Sequence, residues 1–275
     1  MPSFGLNSWT TGEAVDAVTD IRAAGAAGFR FVELCDWKIE RHLAAGGSVA
    51  ALRDQAEEAG LGVLSVNTLD DATLHEGVAL ESRVQRCGQL CEWARALDCP
   101  NVIVGPSYLA DGADRGPPIT DRTAASLTRL AAVAADHGVR IAFEYHGYAN
   151  CSINDLAGAR AALDAAGDER IGLVIDAFHF YVGNSSFDDL ARLDGSRILI
   201  AHLADVDHGD RATLRKPNRV LPGDGVLPLK RLVEGLRRAG YAGPYSLEMF
   251  REEYWAMDPF LVARLARDSL GRVTS

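Results

Sequence analysis

Eight short apolar runs recur along the chain, separated by longer amphipathic stretches: Ser3–Leu6, Phe29–Leu34, Gly62–Val66, Asn101–Val104, Arg140–Phe143, Ile171–Ile175, Ile198–Ala201 and Tyr245–Leu247. They are rich in Val, Ile, Leu and Phe, the pattern of parallel strands covered on both faces. The stretches between them read as helices. Gly12–Ala26 opens after Thr11, a possible N-cap, and Val49–Ala59 opens after Ser48. Leu80–Leu97, Asp121–His137, Asn154–Ala166, Ser186–Leu193 and Pro228–Ala239 follow the same logic. Gly60, Gly138 and Gly240 stand where helices end and the chain turns left-handed. A strand–helix unit repeated in this way predicts a closed (β/α)8 TIM barrel. A doubly wound open sheet would need a glycine-rich phosphate turn, and neither GxGxxG nor GxxxxGK[ST] occurs.

The 275 residues suit one barrel domain over 1–275. The Gly- and Pro-containing stretch Asp111–Pro118 and the polar stretch Asp207–Asn218 read as long loops, which in a compact barrel often wall the active site. A formal net charge of −10 disfavours phosphate backbones and anionic lipid, so neither nucleic acid nor membrane is expected as a partner. The cysteines are Cys35, Cys87, Cys91, Cys99 and Cys151, an odd number without a CxxC pair. That suits a reduced cytosol better than a disulfide framework. Cys87 and Cys91 lie four apart on a predicted helix, where a buried apolar face is a better reading than a metal pair. The opening MPSFGLNSWT lacks the basic and apolar regions of a signal peptide, and no apolar run would span a bilayer, so a cytoplasmic protein is expected.

In such a barrel the reactive groups gather at the carboxyl ends of the strands. The fifth to eighth runs end in Glu144, Asp176, His202 and Glu248. An unpaired buried carboxylate costs several kcal/mol, and three close ones repel each other. One divalent cation resolves both problems. Oxygen with one nitrogen suits Mn²⁺, our first choice, and also Mg²⁺, Co²⁺ or Zn²⁺. A strand-end acid can be merely a cap or a solvated rim residue, but four in register point to a site.

Other polar residues fall on the same face. Asn7, Glu33 and Asn67 end the first three runs, His146 follows Glu144 by two, and His179 follows Asp176 by three. His179, Arg219, Asn67, Glu33 and His146 are the expected substrate contacts. Glu33 could equally pair with Arg30 or Lys38, and His146 could be a satisfied wall residue. Asp205, three after His202, is a candidate to orient it. Trp37, Trp93 and Trp255 read as packing residues, whereas Trp9 is placed to line the pocket.

The segments Glu-Tyr-His-Gly, Gly-Leu-Val-Ile-Asp-Ala-Phe-His, His-Leu-Ala-Asp, Arg-Val-Leu-Pro-Gly-Asp-Gly and Ser-Leu-Glu-Met-Phe-Arg-Glu-Glu-Tyr-Trp resemble the xylose-isomerase-like sugar isomerase/epimerase superfamily. The second half is most similar to the inosose (2-keto-myo-inositol) isomerases. The resemblance implies a metal on Glu144, Asp176, His202 and Glu248, and substrate contacts near His179 and Arg219. It also implies proton shuttling between adjacent carbons of a sugar or cyclitol. Where related sugar epimerases carry a further glutamate and an arginine, this chain has Asn150–Cys151 and His208, which turns the reading away from free ketohexoses. The expected function is metal-dependent isomerisation or epimerisation of a polyol ketone through an enediolate, with Glu144 and Glu248 carrying protons. The alternative is a lyase, dehydratase or decarboxylase of a 3-oxo sugar or sugar acid on the same scaffold. An AP-endonuclease-like nuclease would need more histidines and a basic groove, and a dead sugar-binding barrel would not keep the ligand set. Relatives often associate, so a homo-oligomer is left open.

Overall fold

A computed structural model describes residues 2–110 and 117–275. Its strands are β1 (Phe4–Asn7), β2 (Phe31–Cys35), β3 (Gly62–Leu69), β4 (Asn101–Val104), β5 (Arg140–Glu144), β6 (Ile171–Asp176), β7 (Ile198–His202), β8 (Asp205–Val206), β9 (Arg219–Val220) and β10 (Tyr245–Leu247). Eight of them close a parallel barrel in the order β1-β10-β7-β6-β5-β4-β3-β2, and β8 and β9 form a small antiparallel ribbon beside it. The predicted barrel is therefore present. Several strands run a residue or more past their predicted ends, which brings Asn7, Glu144, Asp176 and His202 into the sheet itself.

Side-chain parity explains why the site residues point inward. Leu64, Ile103, Ala142, Val174 and Ile200 form an apolar cluster separate from the main core. Their strand neighbours Val63, Val102, Ile141, Leu173 and Ala201 belong instead to the core shared with the helices. Successive strand residues face opposite sides, so the small cluster plugs the barrel interior. Glu144, Asp176 and His202 lie two residues beyond Ala142, Val174 and Ile200, and therefore stack directly above that plug. Glu248 stands in the same relation to buried Ser246.

The helical ring differs from expectation in identifiable ways. The first helix starts at Ala17 rather than Gly12, because the Asp16 side chain, not that of Thr11, accepts from the third turn residue, Thr19. Ser48 caps Val49–Glu58 as expected. Gly60, Gly138 and Gly240 all have positive φ, as a left-handed helix exit requires. Pro117 and Pro118, assigned to a loop, instead open the helix Pro117–Ala135; the rest of that loop lies outside the described residues. The Asp207–Asn218 loop contains two short 3-10 turns, Arg211–Thr213 and Lys216–Asn218.

Among the described residues, four α-helices had no counterpart in the reading of the sequence, the shortest being the single turn Glu252–Trp255. Asp36–Ala44 buries only Lys38 and Ile39, too narrow an apolar stripe to register. Ala177–Val182 reads AFHFYV, a strand-like composition, yet the Asp176 side chain caps it and turns it helical. Pro259–Thr274 is capped by Asp258 and packs on the first helix and β1, completing the outer ring. Cys87 and Cys91 are fully buried in the core, in line with the apolar-face reading. Among the described residues, no helix is long and apolar enough to cross a membrane.

Candidate metal centre

Glu144, Asp176, His202 and Glu248 are all buried, and one ligand atom from each lies within 4.8 Å of the others. They come from the adjacent strands β5, β6 and β7 and the end of β10. The β6–β7 register sets Asp176 directly beside His202.

His202 is held at both ring nitrogens. Nδ1 faces Glu144 Oε1 at 3.1 Å, with Glu248 Oε2 at 3.8 Å and Asp176 Oδ2 at 3.9 Å. Nε2 lies 3.1 Å from Glu33 Oε1 on the other side. Glu33 in turn accepts from the hydroxyls of Ser65 and Ser246. Burial alone would lower the His202 pKa, but Glu33, Glu248 and Glu144 outweigh it and hold the imidazole well above its ordinary value. Burial likewise opposes ionisation of Glu144, yet hydrogen bonds from His146 and His202 pull its carboxyl well below the usual range. Asp176 goes the other way. Burial, reinforced by Glu144 and Glu248, pushes it up to about 6 despite Arg219.

Arg219 enters from β9 and is wholly buried. Nη1 donates to Glu248 Oε2 at 2.7 Å, and Nη2 lies 3.1 Å from Asp176 Oδ2. The guanidinium carbon sits 4.7 Å from the Phe178 ring centre and 4.9 Å from that of Phe250, so two aromatic rings fix its plane. Asn7 and Asn67 both donate to Glu248 Oε1, at 3.2 and 3.0 Å. His179 Nδ1 accepts from Gly147 N–H at 3.2 Å, and its Nε2 faces Arg219 Nη2 at 3.5 Å. Its ring stacks on His146, 4.7 Å between centroids, and His146 Nε2 lies 3.8 Å from Glu144 Oε2.

These residues fit a divalent cation. Four carboxylates, counting Glu33, converge on two cationic groups, Arg219 and His202. Asp176 Oδ1 caps the following helix, while its buried Oδ2 is ion-paired with Arg219 but makes no hydrogen bond. The donor set is oxygen with one imidazole nitrogen, suited to Mn²⁺, Mg²⁺, Co²⁺ or Zn²⁺. The Glu33–His202 pair repeats the carboxylate–histidine arrangement that orients metal-bound imidazoles.

Two expected pairings are corrected. Glu33 does not meet Arg30 or Lys38: Lys38 pairs with Asp20 at 2.7 Å, and Glu33 holds His202. Asp205 does not orient His202; its carboxylate accepts from the backbone N–H groups of Val206, Gly223 and Leu227 and so ties down the β8–β9 ribbon that carries Arg219. Trp9 is half-buried against Trp37, Phe250 and Trp255. Reading the sequence missed Ser65, Ser246 and the Phe178–Phe250 clamp. Their signal was positional only: Ser246 and Phe250 lie two residues either side of Glu248.

A closed parallel barrel with a buried carboxylate–imidazole cluster at the carboxyl ends of its strands defines a TIM-barrel protein built to hold a divalent ion. The chain belongs to the xylose isomerase-like TIM barrel family, whose profile matches residues 21–271. It is 32% identical over 186 residues to the inosose isomerase of Halalkalibacterium halodurans, covering 68% of this chain and 66% of that one. It is 26% identical over 238 residues to the 3-dehydroshikimate dehydratase of Pseudomonas aeruginosa, covering 86% of this chain and 36% of that one. The matches thus span less than two thirds of either relative's own length. Among solved structures, the IolI protein with a binding zinc atom superposes with a TM-score of 0.95 at 23% identity, covering 100% of this chain and 98% of that chain. The family resemblance and the barrel read from the sequence are both borne out.

Proposed function

We propose that the chain is a cytoplasmic, divalent-metal-dependent isomerase or epimerase of a polyol ketone, an inosose or ketose, working as one barrel unit over residues 1–275. The observation that carries this reading is the pair of buried glutamates, Glu144 and Glu248, flanking Asp176 and His202 in a single cluster. Glu144, Asp176, His202 and Glu248 would hold the ion, with Mn²⁺ our first choice. When bound, it supplies Lewis acidity that acidifies the proton α to the ketone. One of Glu144 and Glu248 takes that proton, and the other returns one to the neighbouring carbon or its oxygen. Asp176 and His202 mainly hold the ion, and Glu33 orients His202 instead of touching substrate. His179 stays neutral, since burial, His146 and Arg219 hold its pKa well below the ordinary value, and its ring contacts a substrate hydroxyl. Arg219 and Asn67 steady Glu248, Arg219 polarises the developing oxyanion, and His146 lies against Glu144.

The inosose isomerase relative supports this reading. A lyase of a 3-oxo sugar or sugar acid is the second reading, favoured by the dehydratase relative that aligns with 86% of the chain. A mass-resolved screen of inososes, ketoses and 3-oxo sugars with Mn²⁺-loaded enzyme in D2O separates them. Isomerisation leaves substrate mass unchanged apart from deuterium, whereas elimination lowers it. Glu144→Gln and Glu248→Gln should each lower turnover by ~10²–10⁴-fold, the usual value of a general acid or base. Failure to turn over any of these ketones overturns the proposal.

A further inference from the structure

A cleft of about 750 Å³ is lined by Tyr148, Asn150, Arg211 and Arg215 among others. One wall of it packs against His179. Gly147, which also lines it, donates its N–H to His179, and Tyr148 meets the His179 ring edge-on at 5.3 Å. A single six-carbon polyol leaves most of such a cleft unfilled, since volumes of ~300–1,000 Å³ suit drug-sized ligands.

Its charge is unlike that of the chain as a whole. Among the described residues, neither Arg211 nor Arg215 pairs with a carboxylate, although the protein carries a net charge of −10. Both side chains are nonetheless held in place. Arg211 donates to Asn184 Oδ1, and its guanidinium lies 4.4 Å from the Tyr181 ring centre. Arg215 Nη1 donates to the carbonyls of Ala212 and Leu214, at 3.0 and 2.8 Å, and its guanidinium lies 5.9 Å from the Tyr148 ring centre. The acid on the same rim, Asp210, engages one carboxylate oxygen with Ala212 N–H. Two guanidinium forks held in this way, each with N–H groups unengaged among the described residues, are the arrangement that recognises planar or tetrahedral oxyanions.

We infer that the substrate of this site is a polyol ketone bearing a terminal anionic group, carboxylate or phosphate, held in this cleft by Arg211 and Arg215 while the ketone faces the Glu144–Glu248 pair. This rests on the reaction proposed above and names its substrate class.

The test compares kcat/KM of the metal-loaded enzyme for a free ketohexose or inosose, the same ketohexose carrying a terminal phosphate, and a keto sugar acid. At least one anionic substrate is expected to be preferred tenfold or more, and the better of the two identifies the group. The preference should shrink as salt is raised. In Arg211→Ala/Arg215→Ala the ratio should fall to near one, and in Arg211→Lys/Arg215→Lys it should be partly retained, with thermal melting confirming that both variants fold. Equal or poorer use of the anionic substrates, or a preference that survives the alanine pair, overturns the inference. If none of these ketones is turned over, the proposed reaction fails, and calorimetry with the ketose phosphate decides the cleft. Binding at least tenfold weaker in the alanine pair sustains it; no binding, or binding unchanged in that pair, overturns it.

Discussion

Arg219 Nη1 donates to Glu248 Oε2 at 2.7 Å with both side chains buried, inside a cluster whose other acids also need a cation. A buried charge stripped of its partner costs roughly 3–5 kcal/mol. Arg219→Met should therefore destabilise the chelator-treated protein by about 3 kcal/mol. Added Mn²⁺ should stabilise the variant more than the wild type, because an ion on the same carboxylates replaces the missing charge. Urea unfolding with and without Mn²⁺ reads both effects; equal stabilisation of the two proteins would contradict the shared-carboxylate account.

Glu33 fixes the far nitrogen of His202. Its replacement by Gln keeps the shape but removes the charge that orients and strengthens the imidazole. Metal affinity should fall ~10–100-fold, the usual effect of losing such an outer partner. Competition with a chelator of known affinity measures it, and circular dichroism shows that the barrel is intact.

Asp205 accepts from three backbone N–H groups and stands behind the ribbon that delivers Arg219. Asp205→Ala orphans those donors, at about 1–3 kcal/mol for each that water cannot reach. A lower melting temperature and a lower kcat/KM should appear together. Asp205→Asn, which keeps an acceptor, should recover part of both.

The Asp20–Lys38 pair is buried at both ends and lies outside the cluster. Burial pushes the Asp20 carboxyl up to about 6, against the pull of Lys38 and Thr11. As pH rises from about 4 to 6 the unfolded chain releases this proton first, so the residue's contribution to stability falls across that window and is level above it. The size is about 3 kcal/mol, taken from a shift of roughly two pKa units. Lys38→Met alone should cost about 3–5 kcal/mol at neutral pH by leaving a lone buried acid. Asp20→Asn/Lys38→Met should regain most of that loss and remove the slope, visible as the difference between wild-type and double-variant stability from pH 4 to 7.

The barrel and the four clustered residues were legible because both follow from short-range rules. Apolar runs of strand length announce buried parallel strands, and a polar residue ending such a run stands at the rim where barrels keep their chemistry. Parity then carries Ala142 to Glu144, Val174 to Asp176 and Ile200 to His202 on one inward face. The helix Ala177–Val182 was not legible, because a single cap from Asp176 overrides a strand-like composition. The partners of Glu33 and Asp205 were not legible either, since each carboxylate had several sequence neighbours within plausible reach.

The sequence by itself therefore determined the architecture, the family and which side chains end the strands, all properties of periodicity and local order. Only the tertiary structure decided who holds whom. Glu33 meets His202 across 169 positions of chain, and Arg219 reaches Glu248 across 29 from a ribbon outside the barrel. Those pairings depend on barrel closure and on a loop tied down by Asp205. Distances through space at a closed ring of strands carry no trace in the linear order of residues.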